Sequence, residues 1–253
     1  MPDETLYDPA LQTMTRTVHL LASRVPAPRK VSHKDSFVFR HIERSIHQAI
    51  VQKLARIVST LAAAHLLMTH GFVQEQAALQ RILDELHEDV RFLSLAIING
   101  EVTPLHRDYL ASFFEEEFDE DTALESTQKR PMIPRRKIQA YIARSESPEF
   151  DPSTGTELAR TVTKMYSGFV HAASPQIMDM YLGNPPHFHL NGVLGTERHD
   201  EYREDLWNYF YRSVLAFGFA TKAFGDQQIF NEFTNFLNEF ERLNGKTYIP
   251  NAG

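Results

Sequence analysis

Apolar side chains recur at steps of three and four through most of this chain, which is the spacing of one helix face. The clearest stripe lies between Gln74 and Asn99, and its members are Leu79, Ile82, Leu86, Val90, Leu93 and Ile97. Leu83 widens the stripe to the breadth that a globular bundle needs. An alternating pattern of period two is nowhere sustained, so no strand is predicted. We therefore expect an all-α protein, a bundle of about seven helices with an N-terminal helical arm.

The same periodicity places helices along the rest of the chain. Their predicted bounds are 5–24, 37–70, 74–99, 104–118, 136–144, 156–182, 198–224 and 227–244. Within 156–182, Pro175 lacks a backbone donor, so the helix should kink between Val170 and Pro175. From Leu206 to Phe219 large side chains occupy nearly every face, which predicts burial all round.

The positions of the prolines indicate the domain organisation. Val25-Pro26-Ala27-Pro28 ends the first helix, so residues 1–36 form an N-terminal helix and linker, and 37–253 form the bundle. The first helix can serve as an arm that packs on another subunit, and we expect a homodimer. Only Gly71-Phe72-Val73 separates the second helix from the third, which makes these two antiparallel neighbours.

Composition narrows the class of protein. The chain has 253 residues, 42% hydrophobic and 23% charged, which is typical of a soluble globular protein. It contains no cysteine, so disulfides, thiolate metal sites and a cysteine nucleophile are excluded. The formal net charge of −7 argues against a general nucleic-acid binder, although an RNA partner stays open. We expect a cytoplasmic location without membrane contact, because neither a signal peptide nor a spanning run is evident.

One polar constellation combines two helices. Arg81 and Glu85 are four residues apart in the third helix, and Ser167 and His171 are four apart in the kinked helix. Each pair therefore lies on one helix face, and the four side chains could form a shared polar pocket that binds a ligand. The structural interpretation is an ion-pair and hydrogen-bond network that fixes how the two helices dock.

Two short segments here resemble a known family. Residues 78–86, Ala-Leu-Gln-Arg-Ile-Leu-Asp-Glu-Leu, and residues 166–171, Tyr-Ser-Gly-Phe-Val-His, are similar to bacterial helical proteins grouped as domain of unknown function 5677. That family is distantly compared with abortive-infection and HEPN-type helical domains. The resemblance spans about 37–182 and implies a helical fold, with Arg and Glu of one helix near a Ser-x-x-x-His helix. It implies no settled activity.

A second pattern is typical of HEPN ribonucleases. Arg40 and His47 have six residues between them, within that signature's range, and they are the candidate catalytic residues. The histidine would transfer protons while the arginine stabilised developing phosphate charge. His41 stands where a polar residue usually follows the arginine, and a solvated helix face explains the spacing equally simply.

Metal binding is the third possibility. Asp84, His87 and Glu88 imitate half of a di-iron helix pattern, but no second copy occurs, so no metal site is predicted there. His187 and His189 are weak metal candidates, because residues two apart in an extended loop point the same way. No glycine-rich phosphate loop, nucleophile elbow or zinc-finger spacing occurs, and no cofactor is expected.

These observations favour a non-enzymatic helical protein that binds a partner or an unidentified small ligand. A role in stress response or phage defence follows only from the family resemblance. The alternatives are a HEPN-like, metal-independent ribonuclease and a histidine and carboxylate metal-binding protein.

Overall fold

The computed structural model describes residues 3–116, 120, 122, 124–126, 130–146 and 166–245. Its helices are α1 (Tyr7–Ala22), α2 (Ile46–Thr69), α3 (Val73–Ile98), α4 (Pro104–Phe113), α5 (Arg135–Glu146), α6 (Ser174–Met178), α7 (Glu197–Ala223) and α8 (Gln227–Asn244), with a further helical turn at 166–170. The predicted all-α bundle is confirmed. Two antiparallel hairpins add the strands β1 (Arg29–His33), β2 (Ser36–Arg40), β3 (Tyr181–Leu182) and β4 (His187–Phe188).

The first hairpin corrects the predicted helix 37–70. Residues 36–40 pair with β1, and the register places Lys30 opposite Phe39 and Ser32 opposite Phe37. The helix begins only at Ile46, because Ser45 caps it. The Gln48 amide donates to Ser45 Oγ at 3.2 Å, and the Gln48 side chain accepts from the Ser45 amide at 3.0 Å. This reciprocal box satisfies the backbone amides of Ser45 and Gln48 at the start of the helix.

The core is built around α2, α3 and α7. Helix α3 contacts α2, α5 and α7, so its buried surface is wider than the predicted stripe. Leu83, Val90 and Leu93 are fully buried, but Ile82 is exposed, while the polar Asp84 and His87 are buried instead. Helix α7 is buried on most of its faces, and its interior residues include Trp207, Phe210, Val214 and Phe217. Burial all round is confirmed only in part, because one face is partly buried, formed by Asn208, Arg212, Leu215 and Phe219.

Helix α1 packs into its own chain. The Tyr7 ring stacks on Phe210 with centroids 3.9 Å apart, and Met14 and Leu21 are fully buried. The apolar face that the sequence offered to another subunit is therefore covered by α2 and α7. Helix α2 is long and apolar enough to cross a membrane by length and composition, but the buried core helix of a soluble protein passes the same test.

The predicted kink before Pro175 is a complete break. The helical turn ends at Val170, Ala172 adopts φ +50°, and Ala173 is extended. Pro175 then lies in the first turn of α6, where its missing N–H leaves no intrahelical bond unmade. Residues 156–165 of the predicted helix lie outside the described residues.

Candidate functional site: an acidic and aromatic cleft beside α7

A cleft of about 340 Å³ lies between the turn at 166–170, helix α6 and the first half of α7. Its aromatic lining consists of Tyr166, Phe169 and Tyr202. Its charged lining consists of Asp179, Arg198, Glu201 and Asp205. Its volume falls in the range typical of small-molecule sites.

Local structure explains why these side chains converge. Tyr166 and Phe169 are three residues apart on one turn, and Tyr202 and Asp205 are three apart on α7, so each pair shares a face. Thr196 caps α7 by accepting from the His199 amide at 3.2 Å. Gly168 allows the turn to approach α6, since a Cβ there would lie 2.5 Å from Gln176 Cδ.

The three rings form a connected wall. Phe169 meets Tyr202 edge to face with centroids 5.9 Å apart, and Tyr166 lies 6.1 Å from Phe169. These distances fall in the range of favourable aromatic pairs. Tyr166 and Tyr202 are buried and Phe169 is partly buried, so an occupant of the cleft would contact the exposed margins of these rings.

Asp205 is held by one neutral hydrogen-bond donor among the described residues. Its carboxylate accepts a hydrogen bond from the Tyr166 hydroxyl at 2.9 Å, and in the described part of the chain no cationic side chain pairs with it. Burial raises the pKa of Asp205, the Tyr166 hydrogen bond lowers it, and the neighbouring Glu204 and Glu201 raise it further. The ionised form is therefore disfavoured until a positive group approaches.

The other carboxylates share one guanidinium. Arg198 lies 2.6 Å from Glu201 and 3.5 Å from Asp179, and Asp179 also accepts from the Tyr202 hydroxyl at 2.9 Å. Three carboxylates thus face one arginine, and the cleft has a negative potential.

Behind the cleft, a buried polar seam joins α3 to α7. Tyr166 contacts Tyr209 edge to face at 5.8 Å, and the Tyr209 hydroxyl donates to Asp84 at 3.2 Å. Arg212 donates to the same Asp84 oxygen at 2.6 Å. Asp84 is thereby held by two donors from the neighbouring helix, as a buried carboxylate requires.

His87 belongs to the same seam and is neutral. Ser213 Oγ donates to the Tyr209 carbonyl at 2.7 Å, so it accepts from His87 Nε2 at 2.8 Å. This assigns the proton to Nε2 and leaves Nδ1 as an acceptor. Burial, reinforced by the nearby Arg212 charge, holds the pKa of His87 well below its usual value.

A second ion network ties α3 to α5 and α2. Arg135 donates to Asp89 at 2.5 Å and to Glu88 at 2.7 Å, and Lys53 donates to Asp89 at 2.8 Å. These groups satisfy one another, which is the signature of helix docking rather than of an open site.

Only half of the predicted polar pocket forms. Arg81 and Glu85 do make an ion pair at 2.6 Å along one face of α3. No hydrogen bond or ion pair in the described ranges joins this pair to Ser167 or His171, and His171 is exposed. Ser167 and His171 share only a helical backbone bond of 3.1 Å. The break after Val170 turns His171 out of the helix, so the four side chains do not form one site.

The ribonuclease candidates do not share a helix. Arg40 lies in β2 and pairs with Glu116, whereas His47 lies in the first turn of α2 with its ring 4.7 Å from Phe224. The ribonuclease signature requires the arginine and the histidine on one face of the same helix. Because Arg40 lies in a strand of the hairpin, this condition is not met.

The metal candidates have other partners. Asp84 is hydrogen-bonded to Arg212, His87 to Ser213, and Glu88 to Arg135. No cluster of three or more metal-ligating side chains occurs in the described part of the chain. The rings of His187 and His189 do lie together, 4.4 Å between centroids. His187 Nδ1 is 3.1 Å from the Pro185 carbonyl, and His189 Nε2 has no hydrogen-bond partner among the described residues.

Four cleft residues were not predicted as site residues from the sequence: Phe169, Asp179, Tyr202 and Asp205. The available signal was two spacings of three residues, the aromatic pair Tyr166 and Phe169 and the Tyr202 and Asp205 pair. That signal is common on helices, and only the break at 171–173 makes the two faces meet. Comparisons with protein-family models, with curated proteins and with solved structures found no match for this chain.

Proposed function

We propose that this protein is a non-enzymatic helical bundle whose acidic and aromatic cleft binds a small organic cation, such as an alkylammonium group. One observation carries the proposal, the Asp205 carboxylate that faces the cleft without a cationic partner among the described side chains. A buried or half-buried carboxylate costs free energy unless it is paired, so an incoming cation would supply the missing partner.

The ring wall favours an organic cation over a hydrated metal ion. Aromatic faces attract ammonium and guanidinium groups and also cover their apolar substituents. Divalent cations such as Ca²⁺ need six to eight oxygen ligands. The three carboxylates here are instead divided among Tyr166, Tyr202 and Arg198.

The roles of the residues follow from their chemistry. Asp205 would accept hydrogen bonds from the ammonium group, while Phe169 and Tyr202 would cover its alkyl chain. Arg198 would offset one of the two negative charges of Asp179 and Glu201. Asp205, which has no cationic partner among the described side chains, would be the carboxylate that binds the ammonium group. Tyr166 would orient the Asp205 carboxylate through its hydroxyl.

Isothermal titration calorimetry with n-butylammonium chloride tests this proposal. Butanol and sodium butyrate serve as neutral and anionic probes of similar shape. We expect the wild type to bind butylammonium and neither of the others. Asp205→Asn should weaken binding by ~10-fold or more, the loss of a charge-assisted hydrogen bond.

The matched control is Asp200→Asn, which removes a carboxylate from the same helix outside the cleft lining. It should bind butylammonium like the wild type. The proposal is abandoned if the wild type shows no butylammonium heat at millimolar concentration, if butanol binds equally well, or if Asp205→Asn binds unchanged.

A further inference from the structure

The hairpin β1–β2 exposes rings that a soluble protein normally covers. Phe37 is 47% exposed and Phe39 is 56% exposed. The two strands pack chiefly on each other. A lone two-stranded hairpin is only marginally stable, and exposed rings add no burial to it. We therefore expect the apolar surface of this hairpin to be an interaction surface for a binding partner.

The exposed rings lie on one face of the hairpin with a cation. Residues opposite each other in the register share a face, which places Lys30, Ser32, Phe37 and Phe39 together. The two rings meet edge to face at 5.5 Å, and Lys30 Nζ lies 4.3 Å from the centre of Phe37.

The hairpin is basic although the chain is acidic. Residues 29–44 contain five Arg or Lys and two acidic side chains, formally +3 in a chain of net charge −7. Lys30 and Arg44 have no carboxylate partner in the described part of the chain. Local charge rather than net charge decides where a polyanion can bind, so a negative net charge does not exclude polyanion binding at this surface.

A groove of about 720 Å³ runs beside the hairpin, between Phe39 and the end of α4. Arg40, His41 and Arg44 line its hairpin side, and Glu115 and Glu116 line the opposite side. Arg40 pairs with Glu116, so among the described lining residues the negative charge without an ion-pair partner on this rim is at Glu115. A polyanion would therefore follow the hairpin side of the groove.

We propose that this hairpin surface binds single-stranded nucleic acid, with bases stacking on Phe37 and Phe39 and phosphates near Lys30 and Arg44. Aromatic side chains flanked by cations are the common platform for unpaired bases, because every base has a stacking face. The arrangement fits a lipid surface less well. A hairpin that inserts into a membrane carries apolar residues at its tip, whereas the tip here is His33-Lys34-Asp35-Ser36.

Fluorescence anisotropy with a labelled 12-nucleotide oligouridylate, at low and at physiological salt, tests this inference on the full chain. The wild type should bind, and higher salt should weaken binding as counterion release demands. Phe37→Ala/Phe39→Ala should weaken binding ~10-fold or more, within the range for lost base stacking. Lys30→Gln/Arg44→Gln should weaken binding and reduce its salt dependence.

Two matched controls separate this surface from general effects. Phe188→Ala removes an equally exposed ring, 44% exposed, from the other hairpin. Arg16→Gln/Arg242→Gln removes the same formal charge from ion pairs outside the hairpin. Both variants should bind like the wild type.

The hairpin variants should keep the helical circular dichroism and melting temperature of the bundle, so misfolding would be visible. The inference is overturned if the wild type does not bind the oligonucleotide at low salt, or if the Phe37/Phe39 variant binds equally well. A third outcome also overturns it. The wild type would cosediment with phosphatidylserine vesicles and bind no oligonucleotide, and the Phe37/Phe39 variant would no longer cosediment with the vesicles. Because butylammonium binding is measured separately, the two proposals can fail independently.

Discussion

Arg212 of α7 donates to Asp84 of α3 at 2.6 Å, and this contact joins two central helices through a buried carboxylate and a guanidinium that is 36% exposed. The Asp84 side chain is only 4% exposed, so its charge is withdrawn from water and compensated by Arg212 and the Tyr209 hydroxyl. The pair fixes the rotation of α3 against α7 and thereby the wall behind the cleft.

Removing Arg212 should strongly destabilise the fold. In Arg212→Leu, Asp84 would keep a buried charge with one hydroxyl donor, and losing one partner of a buried pair costs ~3–5 kcal/mol. Urea unfolding followed by circular dichroism measures the free energy of unfolding. Asp84→Asn/Arg212→Leu should recover part of the loss.

The control for that experiment is Arg242→Ala, which removes an arginine from the exposed pair with Glu239. Exposed pairs contribute ~0–1 kcal/mol, so this variant should unfold almost like the wild type. Equal stability of Arg212→Leu and Arg242→Ala would contradict a structural role for the seam.

Glu85→Ala should have a small effect, contrary to what a central polar pocket would require. Glu85 is 45% exposed and pairs with Arg81 four residues earlier, and such helical pairs contribute ~0.3–0.5 kcal/mol. The same urea experiment compares it with Asp84→Ala on the preceding residue. A loss of several kcal/mol in Glu85→Ala would restore the idea of a shared pocket.

Asp205→Asn should stabilise the protein at neutral pH while it weakens cation binding. The pKa of Asp205 is raised in the folded state by burial, so above that folded pKa the ionised group opposes folding. Asparagine still accepts the Tyr166 hydrogen bond and carries no charge. Thermal melts at pH 7 should therefore show a higher melting temperature than the wild type.

That advantage should shrink as pH falls through the folded pKa, and it should vanish below the unfolded value near 3.8, where both states are protonated. The affinity for butylammonium should also fall as pH falls through the folded pKa of Asp205, because binding requires the ionised Asp205 carboxylate. A melting temperature below that of the wild type at pH 7 would indicate that Asp205 has a structural partner instead.

His87 should make the fold sensitive to mild acid. Its folded pKa lies well below the ordinary 6.5, so the unfolded chain takes up a proton first as pH falls. The contribution of His87 is thus fully present above the unfolded pKa and is lost as pH falls toward the folded pKa, by up to ~1.4 kcal/mol per pH unit.

Stability measured from pH 7 to pH 5 should therefore fall more steeply in the wild type than in His87→Leu. His33→Gln, which changes a histidine of the hairpin tip, should retain the wild-type slope. Parallel slopes in all three proteins would show that His87 does not titrate differently on folding.

The hydrophobic pattern by itself determined most of the helical architecture. Steps of three and four located both ends of α3, α7 and α8, and the C-terminal end of α2, to within a few residues. Core burial imposes that period on any helix that packs. The same reasoning failed at Phe39 and Ile42, which continue the apolar period of α2 yet lie outside it. Local capping by Ser45 decided that boundary, and periodicity does not register a cap.

Tertiary structure alone decided which polar groups meet. The spacing of Arg81 and Glu85 predicted their pair correctly, since four residues along one helix fix a distance. A backbone break at Ala172 decides whether the helix near residue 170 turns its face toward α3. The rotation of α3 against α7 decides whether Asp84 meets Arg212. Contacts within a helix follow from sequence spacing, whereas contacts between helices follow from packing of the whole core.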